Sequence, residues 1–307
     1  MNSCTDIPSP RNLAIRSRLL QAIREFFQAA GFLEVETPVR IPTPAPELHI
    51  DAPASGSYWL RTSPELHMKR LLAAGYPRLF QIGPCFRNGE RGSRHTPEFT
   101  MLEWYRAPGG AEDILRDCTA LVRHVFCRVT GGSLLARGEA RVDVGSPWQR
   151  FTVREAFLKF AGWDPVAAFD ADRFDLDMVR KVEPALPPDC PCVLTDYPAQ
   201  VAALARLKPD DPAVAERWEL YLGGLEIANA YGELTDAAVQ RARFLACNEA
   251  RRQIGHTAYP LDEPFLAALE RGLPPCGGIA MGVDRLAMLL CNAQTIDEVR
   301  PFCPPRG

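Results

Sequence analysis

The chain has 307 residues and a formal charge of −3, from 35 Lys and Arg residues against 38 Asp and Glu residues. This balance argues against a protein that grips nucleic acid along its backbone, because such proteins usually show a basic excess. The sequence has no apolar run long enough to span a bilayer, and its N-terminus lacks the apolar core of a signal peptide. We therefore expect a cytoplasmic protein that has no membrane partner.

The first predicted element is a helix over residues 11–30, followed by a short strand over residues 32–35. Apolar side chains recur at helical spacing in the first segment, and Gly31 is typical of a helix C-terminus. Pro38 cannot donate a ladder hydrogen bond and so ends the strand. Taken alone, these residues predict an ordinary surface helix beside a strand.

A second helix is predicted to begin in the sequence TSPEL, residues 62–66, and to continue to about Ala74. Proline is favoured in the first turn of a helix, and an acid in that turn interacts favourably with the helix dipole. Glu65 is therefore explained as an acid at a helix start. A role in binding a ligand stays open for it at this point.

The most informative stretch is FRNGERGSRHTPEFTMLEWY, residues 86–105. Its tail is rich in β-branched and aromatic residues, so we predict two antiparallel strands joined by a long charged loop. Arginines of the loop, Arg87 among them, can fork onto phosphate oxygens while Glu90 keeps the fork oriented. Phe99 offers a flat face on which a purine can stack. The alternative is a solvated hairpin tip.

The middle of the chain carries less information. Residues 131–147 are predicted to be a loop. Residues 150–215 are rich in Pro, Asp and Ala and surround a strand at residues 192–195 that has a buried composition. We predict that the region of about 135–215 is an insertion within a single domain that spans residues 1–307.

The largely apolar run of residues 218–234 includes the acids Glu226 and Glu233. Alternation along a strand predicts that Glu226 and Asn229 lie on opposite faces. Glu226 and Glu233 need partners, because burying a lone carboxylate is costly. Bound Mg²⁺ together with ATP phosphates, or a substrate ammonium, would supply the cation. Salt bridges with arginine are the alternative.

The last informative stretch is GGIAMGVDRL, residues 277–286, a glycine-rich strand that runs into a helix. Gly282 would let the backbone approach a nucleotide with no Cβ atom in the way. Close packing of the strand on a helix would also explain the glycines. It would not explain the adjoining acid and base, Asp284 and Arg285.

Three of these stretches resemble, in order and spacing, the three motifs of class II aminoacyl-tRNA synthetases. GFLEVETP at residues 31–38 resembles motif 1, residues 86–105 resemble motif 2, and residues 277–286 resemble motif 3. The wording RHTPEFTMLE within motif 2 is similar to that of lysyl-tRNA synthetases. The resemblance covers roughly residues 11–301 and implies an α+β fold, a mostly antiparallel sheet flanked by helices. It also implies a homodimer formed through motif 1.

The resemblance implies roles for individual residues. Arg87 and Arg285 are the implied catalytic residues, the first holding the α-phosphate and the substrate carboxylate, the second a distal phosphate. The implied ATP contacts are Arg87, Asn88, Gly89, Glu90, Thr96, Phe99, Glu226, Ile227, Gly282 and Arg285. The implied contacts to a lysine-type substrate are Ser63, Pro64, Glu65, Glu103, Tyr105, Asn229, Glu233 and Ala280. Glu226 and Glu233 are the implied metal ligands, so the cofactors would be ATP and Mg²⁺.

These residues predict an ATP-dependent ligase. A substrate carboxylate oxygen would attack the α-phosphate of ATP, giving an acyl-adenylate and pyrophosphate. The reaction needs no side-chain nucleophile, because positioning and charge neutralisation carry the catalysis. We expect an enzyme that forms an amide bond and releases AMP and pyrophosphate.

The chain resembles most closely the branch of lysyl-tRNA synthetase paralogues whose members attach (R)-β-lysine to a lysine of elongation factor P. Lysyl-tRNA synthetases carry an anticodon-reading domain ahead of motif 1, and here only about ten residues precede the first helix. We therefore expect elongation factor P, and not tRNA, as the partner. Ala280 stands where lysyl-tRNA synthetases have glycine, and its methyl group is expected to favour the shifted amine of a β-amino acid.

The sequence also departs from the family pattern. Gly89 follows Asn88 where an acid is usual, Thr96 stands where Asn is common, and Ala230 stands where Gly is common. These changes lie at the rim of the predicted nucleotide and substrate sites, so we expect them to alter the affinity for ATP or substrate more than the type of reaction. Three alternatives stay open: a ligase for L-α-lysine and another acceptor, a ligase that makes a free aminoacyl product, and a non-catalytic regulatory relative. The last predicts loss of the phosphate arginines or the acidic ligands, and this sequence retains both.

Overall fold

The computed structural model describes residues 7–137 and 140–303. The helices within these ranges are α1 (Pro10–Ala29), α2 (Glu65–Ala73), α3 (Ala111–Thr130), α4 (Val153–Phe160), α5 (Ala171–Asp177), α6 (Ala237–Gln253), α7 (Glu263–Gly272) and α8 (Val283–Cys291). The strands are β1 (Leu33–Glu34), β2 (Arg40–Ile41), β3 (Ala54–Ser55), β4 (Tyr58–Leu60), β5 (Arg78–Phe86), β6 (Glu98–Arg106), β7 (Leu134–Arg137), β8 (Ala140–Asp143), β9 (Gln149–Thr152), β10 (Cys192–Pro198), β11 (Val214–Leu222), β12 (Leu225–Gly232) and β13 (Gly277–Gly282). Among these described helices, none is long and apolar enough to cross a membrane.

Eight strands form the main sheet in the order β1-β5-β6-β13-β12-β11-β10-β9. The six central strands of this order pair antiparallel, and the outer strands β1 and β9 join the sheet in parallel. Strands β2, β4 and β3 form a small second sheet, and β7 pairs with β8. The predicted α+β fold, a mostly antiparallel sheet flanked by helices, is confirmed.

One face of the main sheet packs against α1, α3 and α8 and forms the largest core. Phe27 of α1 stacks on Phe80 of β5 with ring centroids 4.7 Å apart, and Trp104 of β6 lies 5.2 Å from Phe27. Side chains alternate along β6, so Glu103 and Tyr105 point to the opposite face. At one end, α2 and α7 build a second core against that opposite face.

The predicted N-terminal elements are confirmed. The hydroxyl of Ser9 accepts a hydrogen bond from the Asn12 amide at 3.2 Å and begins α1. Gly31 follows the helix with a φ of 73°, a conformation that glycine adopts without a steric penalty. Helix α2 begins at Glu65, directly after Pro64, as the sequence indicates.

Strands from the region predicted to be an insertion join the main sheet. Residues 131–147, predicted to be a loop, contain the paired strands β7 and β8, and β9, β10 and β11 are the last strands of the main sheet. Strand β10 is buried because it lies between β9 and β11. Between β9 and β10, residues 153–191 contain helices α4 and α5, and Phe157 and Phe174 stack there with centroids 4.9 Å apart. The extent of the insertion stays a prediction.

A β-bulge between β11 and β12 overturns the predicted alternation. The pairing passes from Tyr221–Glu226 to Leu220–Ala228, which leaves one extra residue on β12. An extra residue in one strand moves the side chains beyond it to the other face. Glu226 and Asn229 therefore lie on the same face of the main sheet, although strict alternation separates them.

Candidate active site

A cavity of about 460 Å³ opens on the face of the main sheet opposite α1, over β6, β13, β12 and β11. The structure brings most of the predicted site residues to its wall, namely Ser63, Glu65, Arg87, Glu90, Thr96, Phe99, Glu103, Tyr105, Glu226, Ile227, Asn229, Glu233, Ala280, Gly282 and Arg285. Of the predicted residues, Pro64, Asn88 and Gly89 lie off the wall. Pro64 immediately precedes the first residue of α2, and the Asn88 amide donates to the carbonyl of Asp51 at 2.7 Å. These two residues therefore contribute to the conformation of the main chain around the cavity.

One end of the cavity, here named the acid end, holds the carboxylates of Glu65, Glu103 and Glu233. The Ser63 hydroxyl donates to Oε1 of Glu103 at 2.7 Å, and the Tyr105 hydroxyl donates to its Oε2 atom at 2.8 Å. Glu103 and Glu233 are almost fully buried. Buried acids require cationic partners, so the acid end is suited to bind ammonium groups.

Sequence reasoning missed Lys69, which lies behind the acid end. Its Nζ atom is 2.5 Å from Oε1 of Glu65 and 2.5 Å from Oε2 of Glu233. A signal was available, because Lys69 follows Glu65 by four residues on α2, and helical side chains at that spacing are neighbours. The other Glu233 oxygen, Oε1, has no hydrogen-bond partner within the described part of the chain.

Burial shifts the protonation of the acid end. It raises the pKa of Glu103 to about 7, reinforced by Glu65 and opposed by the two hydrogen bonds that Glu103 accepts. It also raises the pKa of Glu233, although Lys69 opposes the rise. Glu65 and Glu233 together raise the pKa of Lys69 despite its burial, so it stays charged. A cation bound here would favour the ionised form of Glu103 and Glu233.

The other end of the cavity, here named the basic end, carries Arg87. Its guanidinium carbon lies 5.1 Å from the centroid of the Phe99 ring, and Nη1 lies 3.4 Å from Oε1 of Glu90. The Nε atom of Arg87 has no hydrogen-bond partner in the described residues. Glu47, which sequence reasoning missed, also lines the cavity; burial raises its pKa, and Arg87 opposes the rise.

Arg285 lies in the first turn of α8 and completes the basic end. Its Nη1 atom donates to the carbonyl of Glu226 at 2.8 Å and lies 3.2 Å from the carboxylate of the same residue. Its Nη2 atom lies 2.5 Å from Nε2 of His95. Burial and the Arg285 charge lower the pKa of His95, so a neutral imidazole accepts this hydrogen bond. The motif 2 loop and the motif 3 helix therefore meet across the cavity.

Arg217 and Glu219 also line the cavity and escaped sequence reasoning. Nη2 of Arg217 lies 2.6 Å from Oε1 of Glu219, and the Tyr221 hydroxyl donates to Oε2 of Glu219 at 2.8 Å. Tyr221 is the cross-strand partner of Glu226, so Glu219 is a diagonal neighbour of Glu226 across the bulge, and its charge adds to burial in raising the pKa of Glu226. Alternation along β11 was the signal that could have identified both residues.

The carboxylates of Glu219 and Glu226 fit a divalent cation that also binds phosphate oxygens. Within the described ranges, no group of three or more His, Cys, Asp and Glu side chains could hold a metal by itself. The structure does not bring the predicted metal pair together: Glu226 lies against Arg285 at the basic end, and Glu233 lies against Lys69 at the acid end.

Two glycines of β13 differ in whether the chain leaves room for a Cβ atom at their position. A Cβ atom at Gly278 would overlap Oε1 of Glu233 and the ring of Tyr105. A Cβ atom at Gly282 would meet only the Arg285 side chain within the chain's described part, at an ordinary 3.7 Å. The packing of the chain itself therefore requires glycine at Gly278, whereas the role of Gly282 in the approach of a nucleotide stays a prediction.

Asp284 connects the motif 3 helix to the motif 2 strand and to α1. Its Oδ2 atom accepts a hydrogen bond from the Thr100 amide of β6 at 2.7 Å, and its Oδ1 atom lies 2.6 Å from Nη1 of Arg16 in α1. The carboxylate is almost fully buried. This contact explains the acid that glycine-rich packing alone left unexplained.

Comparisons with known proteins agree with this arrangement. The model of the family described as tRNA synthetases class II (D, K and N) matches residues 7–306. The chain is 39% identical to an elongation factor P--(R)-beta-lysine ligase of Vibrio cholerae over 95% of each chain, and 38% identical to that of Mannheimia succiniciproducens over 95% of this chain and 94% of the other. It is 39% identical to a lysine--tRNA ligase of Dehalococcoides mccartyi over 94% of this chain, and it spans 63% of that relative's length.

The family match extends over nearly the whole chain and includes the three motifs whose residues surround the cavity. Two relatives match this chain along almost their entire length at 38–39% identity. The chain belongs to the class II tRNA synthetase family that contains the D, K and N enzymes.

Proposed function

We propose that this chain is an ATP-dependent ligase that activates (R)-β-lysine as an acyl-adenylate and transfers it to a lysine side chain of elongation factor P. The relatives named elongation factor P--(R)-beta-lysine ligase match it along about 95% of both chains. The observation that carries the proposal is the division of the cavity into an acid end and a basic end. A diamino acid bound to ATP needs this division.

The acid end suits a substrate with two ammonium groups. Oε1 of Glu233 is buried without a hydrogen-bond partner among the described residues, and it would accept the side-chain ammonium beside Tyr105. Glu65 and Glu103 would bind the second amine, and Asn229 would lie near the carboxyl side. A substrate with one amine would leave a buried acid unpaired, which is a strong basis for rejecting it.

The basic end suits the phosphates and the substrate carboxylate. Arg87 would hold both, so that a carboxylate oxygen attacks the α-phosphorus and the bond to pyrophosphate breaks. Arg285 would stabilise the charge that develops on the departing pyrophosphate, and the free face of Phe99 would stack on adenine. Mg²⁺, when bound at Glu219 and Glu226, would neutralise phosphate charge.

In the second step, the amine of the acceptor lysine attacks the carbonyl carbon of the adenylate. The amide C–N bond forms while the C–O bond to AMP breaks. The reaction again depends on the position of the reactants and needs no nucleophile from this chain.

An activity like that of a lysine--tRNA ligase, with L-α-lysine and another acceptor, is the second candidate. It is favoured by the 39% identity to the Dehalococcoides mccartyi enzyme, of which this chain spans 63%.

A non-catalytic regulatory relative would not need the charged residues that bind phosphate and ammonium. Here Arg87, Arg285, Glu226 and Glu233 all line the cavity, which supports an active enzyme.

We also propose that the protein works in the cytoplasm as a homodimer formed through α1 and β1. Strand β1 is an edge of the main sheet, and its Leu33 is 50% exposed. A strand at the edge of a sheet presents unpaired backbone groups with which another chain can pair. Sedimentation equilibrium would show a dimer for the wild type and a monomer for Leu33→Glu. A monomeric wild type would contradict the proposal.

The experiment that tests the activity is ATP–pyrophosphate exchange with Mg²⁺, comparing (R)-β-lysine with L-α-lysine. Transfer to purified elongation factor P or to lysine tRNA follows, with Arg87→Ala as the inactive control. Exchange with β-lysine and labelling of elongation factor P would support the proposal. Exchange with α-lysine and charging of tRNA would support the second candidate. Absence of exchange with either would favour a regulatory role.

A further inference from the structure

Lys69 forms two ion pairs immediately behind the acid end. Its Nζ atom lies 2.5 Å from Glu65 and 2.5 Å from Glu233, and its side chain has no exposed surface. Lys69 is buried behind the residues that line the cavity and is not one of them. It can therefore influence a substrate through these two acids and not by direct contact.

The two ion pairs limit the separation of the acids. Because both oxygens lie 2.5 Å from the same Nζ atom, Oε1 of Glu65 and Oε2 of Glu233 are at most about 5 Å apart. Two buried carboxylates at this separation cannot both stay ionised without a cation between them. Lys69 supplies that cation and leaves the second oxygen of Glu233 available to the cavity.

Several packed elements contribute charge to this region. The titratable and charged groups that face Glu233 are Lys69, Glu65, Glu103, Tyr105, Cys276 and Arg206. Arg206 lies 2.7 Å from Glu216 and is neutralised there. The three acids of the acid end carry three negative charges when all are ionised. The single positive charge of Lys69 offsets one of them, so the net charge of this region is two negative charges.

We propose that Lys69 is a positioning residue that holds Glu65 and Glu233 in place and sets the acid end at two net negative charges, to match a substrate with two ammonium groups. The inference rests on the proposed function, because it takes a diamino acid as the substrate. Without Lys69, the three acids would meet only the two ammonium groups of the substrate, which leaves one negative charge uncompensated. A proton shared by Glu65 and Glu233 would then take the place of the lysine charge. That proton would have to leave before both acids could bind ammonium groups.

The test compares the wild type with Lys69→Met in ATP–pyrophosphate exchange from about pH 6 to about pH 8.5. At neutral pH, the KM for (R)-β-lysine is expected to rise roughly tenfold, while the KM for ATP changes less than about twofold. The KM for the amino acid is expected to fall as the pH rises and the acid end ionises. In Lys69→Met the midpoint of this fall is expected about one pH unit or more above that of the wild type, because the proton shared by Glu65 and Glu233 must first dissociate. Equal changes in both KM values with an unmoved pH profile would mean a merely structural role.

Two further variants serve as controls. Lys181→Met removes a lysine that pairs with Asp177 four residues earlier at 2.7 Å, on a half-exposed surface away from the cavity. It is expected to leave both KM values and the pH profile unchanged. Lys69→Arg keeps the charge, so its pH profile is expected to stay at the wild-type position whatever its effect on KM. A profile displaced as far as that of Lys69→Met would overturn the inference.

A charge-compensated variant covers the case in which Lys69→Met does not fold. Lys69→Met/Glu65→Gln removes one cation and one anion together, and its pH profile is expected within about one unit of wild type. A larger displacement would overturn the inference. A wild type that activates neither diamino acid would overturn the proposed function, and the role of Lys69 with it. An active wild type with an unaltered Lys69→Met variant would overturn the role of Lys69 alone.

Discussion

The carboxylate of Glu226 lies 3.2 Å from Nη1 of Arg285, and the same nitrogen donates to the Glu226 carbonyl at 2.8 Å. The main-chain hydrogen bond anchors the arginine independently of the side-chain charge. The carboxylate can therefore turn to a metal ion while Arg285 stays in place. The two residues thus combine an arginine for phosphate with an acid for a cation at one point of the cavity.

This relationship predicts the behaviour of Glu226→Gln. The substitution keeps the main-chain anchor of Arg285 but removes the negative charge, so kcat is expected to fall on the order of 10²-fold. The Mg²⁺ concentration for half-maximal activity is expected to rise. Pyrophosphate exchange across a Mg²⁺ titration measures both effects. Glu249→Gln, at an exposed pair with Arg252 on α6, is the control and should behave as wild type.

A Glu226→Gln variant with the magnesium dependence of the wild type would contradict this assignment. In that case Glu219, the diagonal neighbour of Glu226 on β11, would become the acid to replace next.

A methyl group at Gly278 is expected to damage the acid end. In Gly278→Ala, the added Cβ atom would overlap Glu233 and Tyr105, so the free energy of unfolding should fall by about 1–3 kcal/mol. The KM for the amino acid should rise while that for ATP is little changed. Urea unfolding and pyrophosphate exchange measure these quantities. Gly132→Ala, where a Cβ atom meets nothing within 4 Å, is the control; equal effects of both substitutions would refute the explanation.

Ala280 is expected to discriminate between lysine isomers. It pairs with Glu103 on β6 and with Asn229 on β12, and it lines the cavity. Removal of its methyl group in Ala280→Gly makes room for the backbone of an α-amino acid. The ratio of kcat/KM for L-α-lysine to that for (R)-β-lysine should rise about tenfold, as is typical of one carbon atom in a pocket. An unchanged ratio would exclude this role for the methyl group.

Glu103 is expected to make the stability of the empty protein depend on pH. Its pKa is raised from 4.5 to about 7 by burial. Between these values the folded state binds more protons than the unfolded state, so stability falls as pH rises through this window. The shift corresponds to about 3 kcal/mol. Urea unfolding from about pH 4.5 to about pH 7 should show a steeper fall for wild type than for Glu103→Gln.

Equal slopes for the wild type and Glu103→Gln would contradict this account. Binding of the diamino acid should depend on pH in the opposite direction to stability, because the ammonium of the ligand favours the ionised carboxylate of Glu103. Affinity for the amino acid is therefore expected to increase as pH rises through about 7.

Several local features were accessible from the sequence. Arg87, Glu90 and Phe99 belong to one hairpin, so their proximity follows from the turn and the strands that flank it. Glu65 at the start of α2 and Arg285 at the start of α8 follow from helix boundaries that turn residues and periodicity mark. The order and spacing of the three motifs were enough to identify the family.

Relations between elements distant in sequence were not accessible in this way. The bulge between β11 and β12 depends on how two strands pair, and alternation within β12 alone put Glu226 and Asn229 on opposite faces. Strands β9 and β10 belong to the main sheet through pairing that no local composition indicates. Hydrophobic periodicity reports which side of one element is buried, and not which element covers it.

The sequence by itself determined the family and the α+β class, because the types and spacing of the motif residues are local properties of the chain, and the resemblance to that family then supplied most of the predicted cavity residues. Only the tertiary structure decided which charges meet. It placed Lys69 between Glu65 and Glu233 and set Glu219 beside Glu226. The physical reason is that these contacts depend on cross-strand register and on helix packing, which are fixed by the burial of the whole chain.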